Sequence, residues 1–220
     1  MKNSHCTNVL LRLAAVAALV LAFVESAAAA ENSPPDGFTA LFNGENLDGW
    51  WGVKSEDPRL YMALSEEDLA AKKTASLEDI RQHWRVENGE LINDGTGLYL
   101  TTDRFYSDFE LLVSYKMVPG SDSGIYLRGT PQVSIWDATD ETKFKHGADK
   151  GSGGLWNNPP GTPGKDPLVF ADRPIGQWDE MRVVMTGERV SVWLNGKLVV
   201  DHARLYNYYD RAKPEAERLP

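Results

Sequence analysis

The amino-acid sequence predicts an all-β domain, a sandwich or barrel of short antiparallel strands. Roughly ten apolar or alternating segments are separated by turn residues, which is the pattern of such domains. The composition agrees, because 7 Trp, 8 Tyr and 7 Phe occur together with 19 Gly and 12 Pro. Aromatic residues favour strands, and glycine and proline favour the turns between them. A chain of 220 residues is expected to form a single domain.

The charge balance of the chain excludes two classes of partner. Lys and Arg number 23 against 32 Asp and Glu, a formal net charge of -9. Nucleic acids and anionic membranes attract clustered basic residues, so neither is expected as a partner. The hydrophobic fraction of 42% is sufficient for a packed core and argues against a disordered chain.

The first thirty residues have the pattern of a secretory signal peptide. Basic residues precede the apolar run Leu13–Val24, and a small-residue stretch ends at Ala30. This run is too short to span a bilayer, although an uncleaved anchor is the alternative. We expect cleavage after Ala30, a periplasmic or secreted protein without stable membrane insertion, and a disordered lead-in over residues 31–36. Cys6, the chain's only cysteine, leaves with the signal peptide, so no disulfide is expected.

The strand pattern begins after the lead-in and continues almost to the end of the chain. Asn-Gly pairs at 88–89 and 195–196 predict two tight hairpins, because both residues adopt positive φ readily. The predicted strands cover residues 38–42, 83–87, 90–93, 98–101, 109–118, 124–128, 132–136, 178–185, 189–194 and 198–201.

Two segments depart from the strand pattern. Residues 53–83 contain helix-start signals at Ser65 and Ser76, which predict one or two short inserted helices. Residues 138–168 form a long loop rich in Gly, Pro and Asn, and such loops are commonly functional. The glycines of 151–154 would let the backbone approach a ligand closely.

Several motifs, taken in order, resemble the 3-keto-disaccharide hydrolase domain family. They occupy residues 38–44, 47–50, 84–91, 108–111, 122–128, 132–137, 177–182 and 192–201. The resemblance implies an all-β, concanavalin-like jelly-roll sandwich of two curved antiparallel sheets, here with a short helical insertion. It also implies activity on glucosides oxidised to a ketone at C3, as a 3-keto-glucoside 1,2-lyase and a 3-keto-2-hydroxy-glucal hydratase.

Two positions and one segment depart from the family pattern. The family usually has Glu and Gln where this chain has Gln132 and Ser134. The family's last strands have no recognisable counterpart after Asp201. We therefore expect residues 37–220 to form one jelly-roll domain that is C-terminally incomplete.

The implied reaction sets the kind of site to look for. A C3 ketone acidifies the C2 hydrogen, so a base can form an enolate and the anomeric oxygen can leave by β-elimination. The site needs a base near C2, donors or a cation at the enolate oxygen, and an acid for the leaving group. An ordinary glycosidase needs instead two carboxylates that flank the glycosidic bond.

Strand alternation selects the candidate binding residues. Tyr126 and Arg128 are expected on one face of their strand, with Arg128 steadying the enolate or binding hydroxyls; a solvated or ion-paired edge arginine is the alternative. On the next strand one polar and aromatic face is expected to bind sugar, while Val133 and Ile135 face the core; for Trp136 an ordinary core position is the alternative. Trp156 and Asn157 are expected at the pocket rim, with Lys150 as a weaker rim candidate. The predicted substrate-binding set is Tyr126, Gln132, Ser134, Trp136, Trp156 and Asn157.

The candidate catalytic residues are Asp137, Arg128 and His146. Asp137 is the first choice for the base or a metal ligand, and a turn-forming aspartate is the alternative. His146 could transfer protons, although a lone loop histidine is commonly a plain surface residue. Asp122, Asp137, Asp140 and His146 could together hold a divalent metal, without matching a known metal motif. A non-catalytic carbohydrate-binding module and an inactive fragment are the alternatives to an enzyme.

Overall fold

The computed structural model describes residues 33–130 and 132–213. The predicted signal peptide lies outside the described residues, as do 31–32 of the predicted lead-in. Residues 33–36 are exposed and contain no helix or strand. No helix in the described part of the chain is long and apolar enough to cross a membrane.

Ten strands and two α-helices follow one another along the described part of the chain. They are β1 (Trp50–Val53), α1 (Pro58–Met62), α2 (Glu66–His83), β2 (Trp84–Glu87), β3 (Glu90–Asn93), β4 (Tyr99–Thr102), β5 (Phe109–Lys116), β6 (Asp122–Tyr126), β7 (Gln132–Trp136), β8 (Trp178–Thr186), β9 (Arg189–Leu194) and β10 (Lys197–Arg204). Four short 3-10 turns lie at Leu127–Gly129, Glu141–His146, Ala148–Lys150 and Tyr208–Asp210.

The core lies between two antiparallel layers, which confirms the predicted all-β sandwich. One layer is a four-stranded sheet in the order β10-β9-β8-β5, and the other contains the β6–β7 pair. Val133, Ile135 and Leu155 pack in the same apolar cluster as Val183 and Val192 of the four-stranded sheet. Burial of such side chains is the main force that holds two layers together. The pairs β1–β4 and β2–β3 are separate two-stranded sheets.

Both Asn-Gly hairpins are confirmed. Asn88 and Gly89 have φ values of 52° and 77°, and Asn195 and Gly196 have 50° and 77°. Positive φ at both central residues gives the turn whose twist matches the flanking strands. The first turn joins β2 to β3, and the second joins β9 to β10.

The inserted segment forms two helices, and the second is longer than predicted, with 18 residues. Ser65 caps α2 by accepting a hydrogen bond from the Asp68 amide at 3.1 Å. The predicted second start at Ser76 is wrong, because Ser76 lies buried inside α2. Its hydroxyl accepts a hydrogen bond from the Gly52 amide at 2.9 Å, which joins the helix to β1.

The predicted strand at 38–42 is absent. That segment contains no strand in the structure, and the first strand is instead β1, which pairs with β4 from Trp50 opposite Thr102 onward. Alternation alone does not make a strand, because the backbone groups also need a neighbouring strand as a partner.

Candidate functional site

One face of the sandwich brings together β6, β7 and part of the long loop. Antiparallel pairing places Tyr126 opposite Gln132 and Gly124 opposite Ser134. The amide of Trp156 donates to the Gln132 carbonyl at 2.8 Å, and the Ser134 amide donates to the loop backbone in the same way. An isolated bridge pairs Val133 with the residue before Trp156. Residues 152–156 therefore continue the sheet beside β7, where the sequence predicted only a loop.

Most of this face is covered, which differs from the open polar row predicted for β7. Ser134 and Trp136 are only 3% and 6% exposed. The Ser134 hydroxyl donates to the Gly154 carbonyl at 3.1 Å, and a Cβ at Gly154 would lie 2.6 Å from the Lys165 carbonyl oxygen. The chain around Lys165 thus covers this end of the face, because Gly154 lacks a side chain that would keep it away.

The face opens at its other end into a small pocket of about 120 Å³. Three of the predicted binding residues meet there, namely Tyr126, Trp156 and Asn157. The main-chain amide of Gln132 donates a hydrogen bond to Asn157 Oδ1 at 2.8 Å, which fixes the Asn157 side chain. Among the described residues, the lining consists of Ser55, Tyr126, Thr130, Trp156, Asn157, Tyr208 and Tyr209.

The opposite wall of the pocket comes from the C-terminal segment 205–213, which sequence reasoning missed. The Tyr208 amide donates to Thr130 Oγ1 at 3.2 Å. The next turn is held by Asp210, which is fully buried and forms an ion pair with Arg59 of α1 at 2.9 Å. Four aromatic or amide residues in a row at 206–209 were the available sequence signal.

Phenol groups dominate the pocket. Tyr126 stacks on Tyr99 with 5.6 Å between ring centroids, and burial raises the pKa of Tyr126. The Tyr209 hydroxyl lies 3.5 Å from Ser55 Oγ. A phenol with a raised pKa keeps its proton at neutral pH, so Tyr126 is a hydrogen-bond donor rather than a base.

Trp156 contacts three side chains that do not line the pocket. The rings of Trp136 and His146 meet it edge-on, with centroid distances of 5.3 and 5.5 Å. Lys165 Nζ lies 4.1 Å from the centroid of its ring and donates to the Trp156 carbonyl at 2.5 Å. Burial lowers the pKa of Lys165. His146 does not line the pocket; it is an exposed residue whose ring contacts the Trp156 indole.

Arg128 does not lie beside Tyr126 on the strand. β6 ends at Tyr126, and Arg128 adopts a left-handed conformation with φ of 51°. Its guanidinium donates to the Ser107 carbonyl at 2.9 Å and to Asp108 at 3.1 Å. The side chain is therefore committed to the 107–108 turn and is not among the residues that line the pocket.

Asp137 lies where its alternative assignment placed it, in a turn. It is 3% exposed, and Oδ2 accepts from the Gly120 amide at 2.7 Å. Oδ1 accepts from the Thr139 hydroxyl at 2.6 Å and from the Thr139 amide at 2.9 Å. These hydrogen bonds, the Thr139 hydroxyl first, lower the pKa of Asp137. A buried carboxylate with three donors is a poor base for an external substrate.

The acidic residues proposed for a metal surround a lysine. Lys143 Nζ lies 3.7 Å from Asp122 and 3.8 Å from Asp140, and it donates to the Gly120 carbonyl at 2.9 Å. Over the described ranges, no group of three or more His, Cys, Asp or Glu residues could hold a metal ion. Lys150 is exposed and forms an ion pair with Asp166 at 2.6 Å, outside the pocket lining.

Comparison with known proteins places the chain in a family. The family model of the 3-keto-alpha-glucoside-1,2-lyase-like domain matches residues 37–220. The chain belongs to this family. The match continues past Asp201, where the recognisable motifs end, and so includes the tyrosine wall of the pocket.

Two crystal structures from Parabacteroides distasonis ATCC 8503, each described as a "putative glycosyl hydrolase", are similar to this member of the 3-keto-alpha-glucoside-1,2-lyase-like family. The first has a TM-score of 0.49 and 19% identity, covering 80% of this chain and 74% of its own. The second has a TM-score of 0.48 and 19% identity, covering 75% and 64%. The search of curated proteins found no match.

Proposed function

We propose that the protein is an exported enzyme that acts on 3-keto-glucosides by C2 proton abstraction, elimination and hydration. The observation that carries the proposal is the meeting of Tyr126, Trp156 and Asn157 in one pocket of a family member. An aromatic ring, an amide and phenol hydroxyls are the groups that bind a sugar ring. The signal-peptide pattern of the first thirty residues supports export.

The pocket volume suits part of one sugar ring rather than a whole disaccharide. Its volume of about 120 Å³ is below the range of about 300–1,000 Å³ typical of ligand sites. The reacting edge of the oxidised ring would occupy it, with Trp156 against the C–H face and Asn157 at a hydroxyl. The aglycone would then lie outside the pocket.

The groups around the pocket can perform the reaction without a flanking carboxylate pair. Tyr126, kept protonated by burial, would donate to the C3 oxygen as the ketone becomes an enolate. His146, which contacts the Trp156 indole but does not line the pocket, is the remaining candidate to take the C2 proton. The enolate electrons would then form the C1–C2 double bond, the C3 ketone would re-form, and Tyr209 would protonate the departing anomeric oxygen. Addition of water, with the hydroxyl at C1 and a proton at C2, completes net hydrolysis.

Isotope exchange separates this route from ordinary glycoside hydrolysis. Incubation of the protein with 3-keto-trehalose in deuterated water should release reducing sugar that carries deuterium at C2. Tyr126→Phe should lower kcat by about 10²–10³-fold, the usual cost of removing one donor to an enolate-type oxygen. Tyr106→Phe is the matched control, because Tyr106 is 41% exposed and outside the pocket lining. Absence of both sugar release and C2 exchange would refute the proposal.

A carbohydrate-binding module without catalysis is the second candidate. It is favoured by the pocket lining itself, which contains neither a carboxylate nor an imidazole among the described residues. Calorimetric binding of a 3-keto-glucoside without turnover, unchanged in His146→Ala and lost in Asn157→Ala, would establish this function instead of the enzyme.

A further inference from the structure

A second and larger cleft lies beside the inserted helix α2. It is bounded by the loop 45–50, by the C-terminal half of α2 and by β2, and its volume is about 480 Å³. This volume falls within the range of about 300–1,000 Å³ that small-molecule sites occupy. The cleft shares no residue with the Tyr126 pocket.

The cleft has an apolar floor and two indole rings. Leu77 and Ile80 of α2 form the floor, and Trp50 and Trp84 line the cleft as half-buried side chains. The Trp84 ring is fixed because its Nε1 donates to the Leu98 carbonyl at 3.0 Å. Indole surfaces of this kind pack against the C–H faces of sugar rings.

Three charged side chains that form no hydrogen bond or ion pair among the described residues line the cleft together with the indoles. Glu45, Asp48 and Arg81 all line the cleft and are exposed. Within the described ranges, none of these three side chains forms a hydrogen bond or an ion pair. Carboxylates and a guanidinium form strong charge-assisted hydrogen bonds to hydroxyl groups. Both signs of charge are present, which disfavours a phosphate or a polyanion as the ligand.

The loop that carries Glu45 and Asp48 is held in place by asparagine side chains. Asn43 Oδ1 accepts from the amides of Glu45 and Asn46, each at 2.9 Å. Asn46 Oδ1 accepts from the Asp48 amide at 2.9 Å and from the Asn43 side chain at 2.8 Å. A wall that is already ordered loses little conformational freedom when a ligand binds.

We propose that this cleft binds an unoxidised, uncharged saccharide, with Trp50 and Trp84 as the ring platforms. Arg81 of α2 and Asp48 of the loop bind the sugar hydroxyls. The site goes beyond the proposed reaction, because its ligand needs no ketone and its residues are separate from the reacting pocket. It would hold the protein on glycan material, or hold a distal sugar unit.

Isothermal titration calorimetry of the full chain with trehalose, maltose and cellobiose tests the proposal. We expect binding of at least one disaccharide, weakened about tenfold or more by Arg81→Ala and by Asp48→Ala. Arg104→Ala is the matched control, because Arg104 is an exposed arginine outside the cleft. Asn157→Ala, in the other pocket, should leave this binding unchanged.

The outcomes separate this site from the Tyr126 pocket. No heat of binding for any of the three sugars would overturn the proposal, as would binding that Arg81→Ala and Asp48→Ala leave intact. Disaccharide binding lost in Asn157→Ala but kept in Arg81→Ala would assign it to the Tyr126 pocket and also overturn the proposal. Turnover of 3-keto-trehalose is measured separately, and its absence would leave the cleft assignment standing.

Discussion

Replacing Leu155 with alanine tests whether the 152–156 segment is an integral part of the sandwich. Leu155 is fully buried at 0% exposure and packs in the cluster that joins the two layers. Leu→Ala changes at such sites remove apolar contacts and leave a cavity, and they cost about 2.7–5 kcal/mol. We expect the free energy of unfolding to fall by about 3 kcal/mol.

Urea unfolding followed by tryptophan fluorescence measures this change, with Leu112→Ala as the control. Leu112 lies on β5 and is 42% exposed, so its replacement should cost less than about 1 kcal/mol. The sugar binding proposed for the pocket should weaken only in Leu155→Ala, because Trp156 is the next residue. Equal destabilisation by the two changes, or a cost below about 1 kcal/mol for Leu155→Ala, would show that the segment is a detachable surface loop.

Three further changes test the packing around the site. Gly154→Ala should lower the free energy of unfolding by about 1–3 kcal/mol, because its Cβ would lie 2.6 Å from the Lys165 carbonyl oxygen; an unshifted denaturation midpoint would contradict this. Asp137→Ala should cost about 2–3 kcal/mol in the same assay, because it removes the acceptor of three hydrogen bonds; a cost near zero would mean that solvent satisfies those donors. Burial raises the pKa of Asp172 above 3.8, so the stability it contributes is present below 3.8 and is lost as pH rises through the folded pKa. The Asp172→Asn variant keeps an acceptor for the Ser152 amide and does not titrate, so its free energy of unfolding should not fall as the pH rises. Its stability relative to wild type should therefore increase between pH 3.8 and the folded pKa of Asp172. A difference in stability that does not change with pH would contradict this.

Local chemistry predicted the strands and hairpins well. An Asn-Gly turn needs positive φ at two adjacent residues, which is a property of those residues alone, and both turns were confirmed. The alternation in β8 and β9 likewise follows from burial of one face. The predicted strand at 38–42 failed because pairing depends on where another segment lies, which local patterns do not encode.

The grouping of the candidate binding residues was partly predictable for the same reason. Tyr126, Trp156 and Asn157 line one pocket, and their role in sugar binding stays a prediction. Arg128 was misplaced because the prediction extended the strand two residues beyond its end at Tyr126. The run at 206–209 draws attention to Tyr208, but its place in the pocket could not be predicted, because it depends on a contact with Thr130, 78 positions away.

The Tyr126 pocket can form only late in the synthesis and folding of the chain. Ser55 and Tyr209 face each other across it although 154 positions separate them in the chain. A ribosome must therefore have released almost all of the described chain before the cavity can close. Ligand affinity should serve as a sensitive reporter of correct maturation, because a protease nick that frees residues 205–213 would remove two of the seven lining side chains while leaving the central sheet intact.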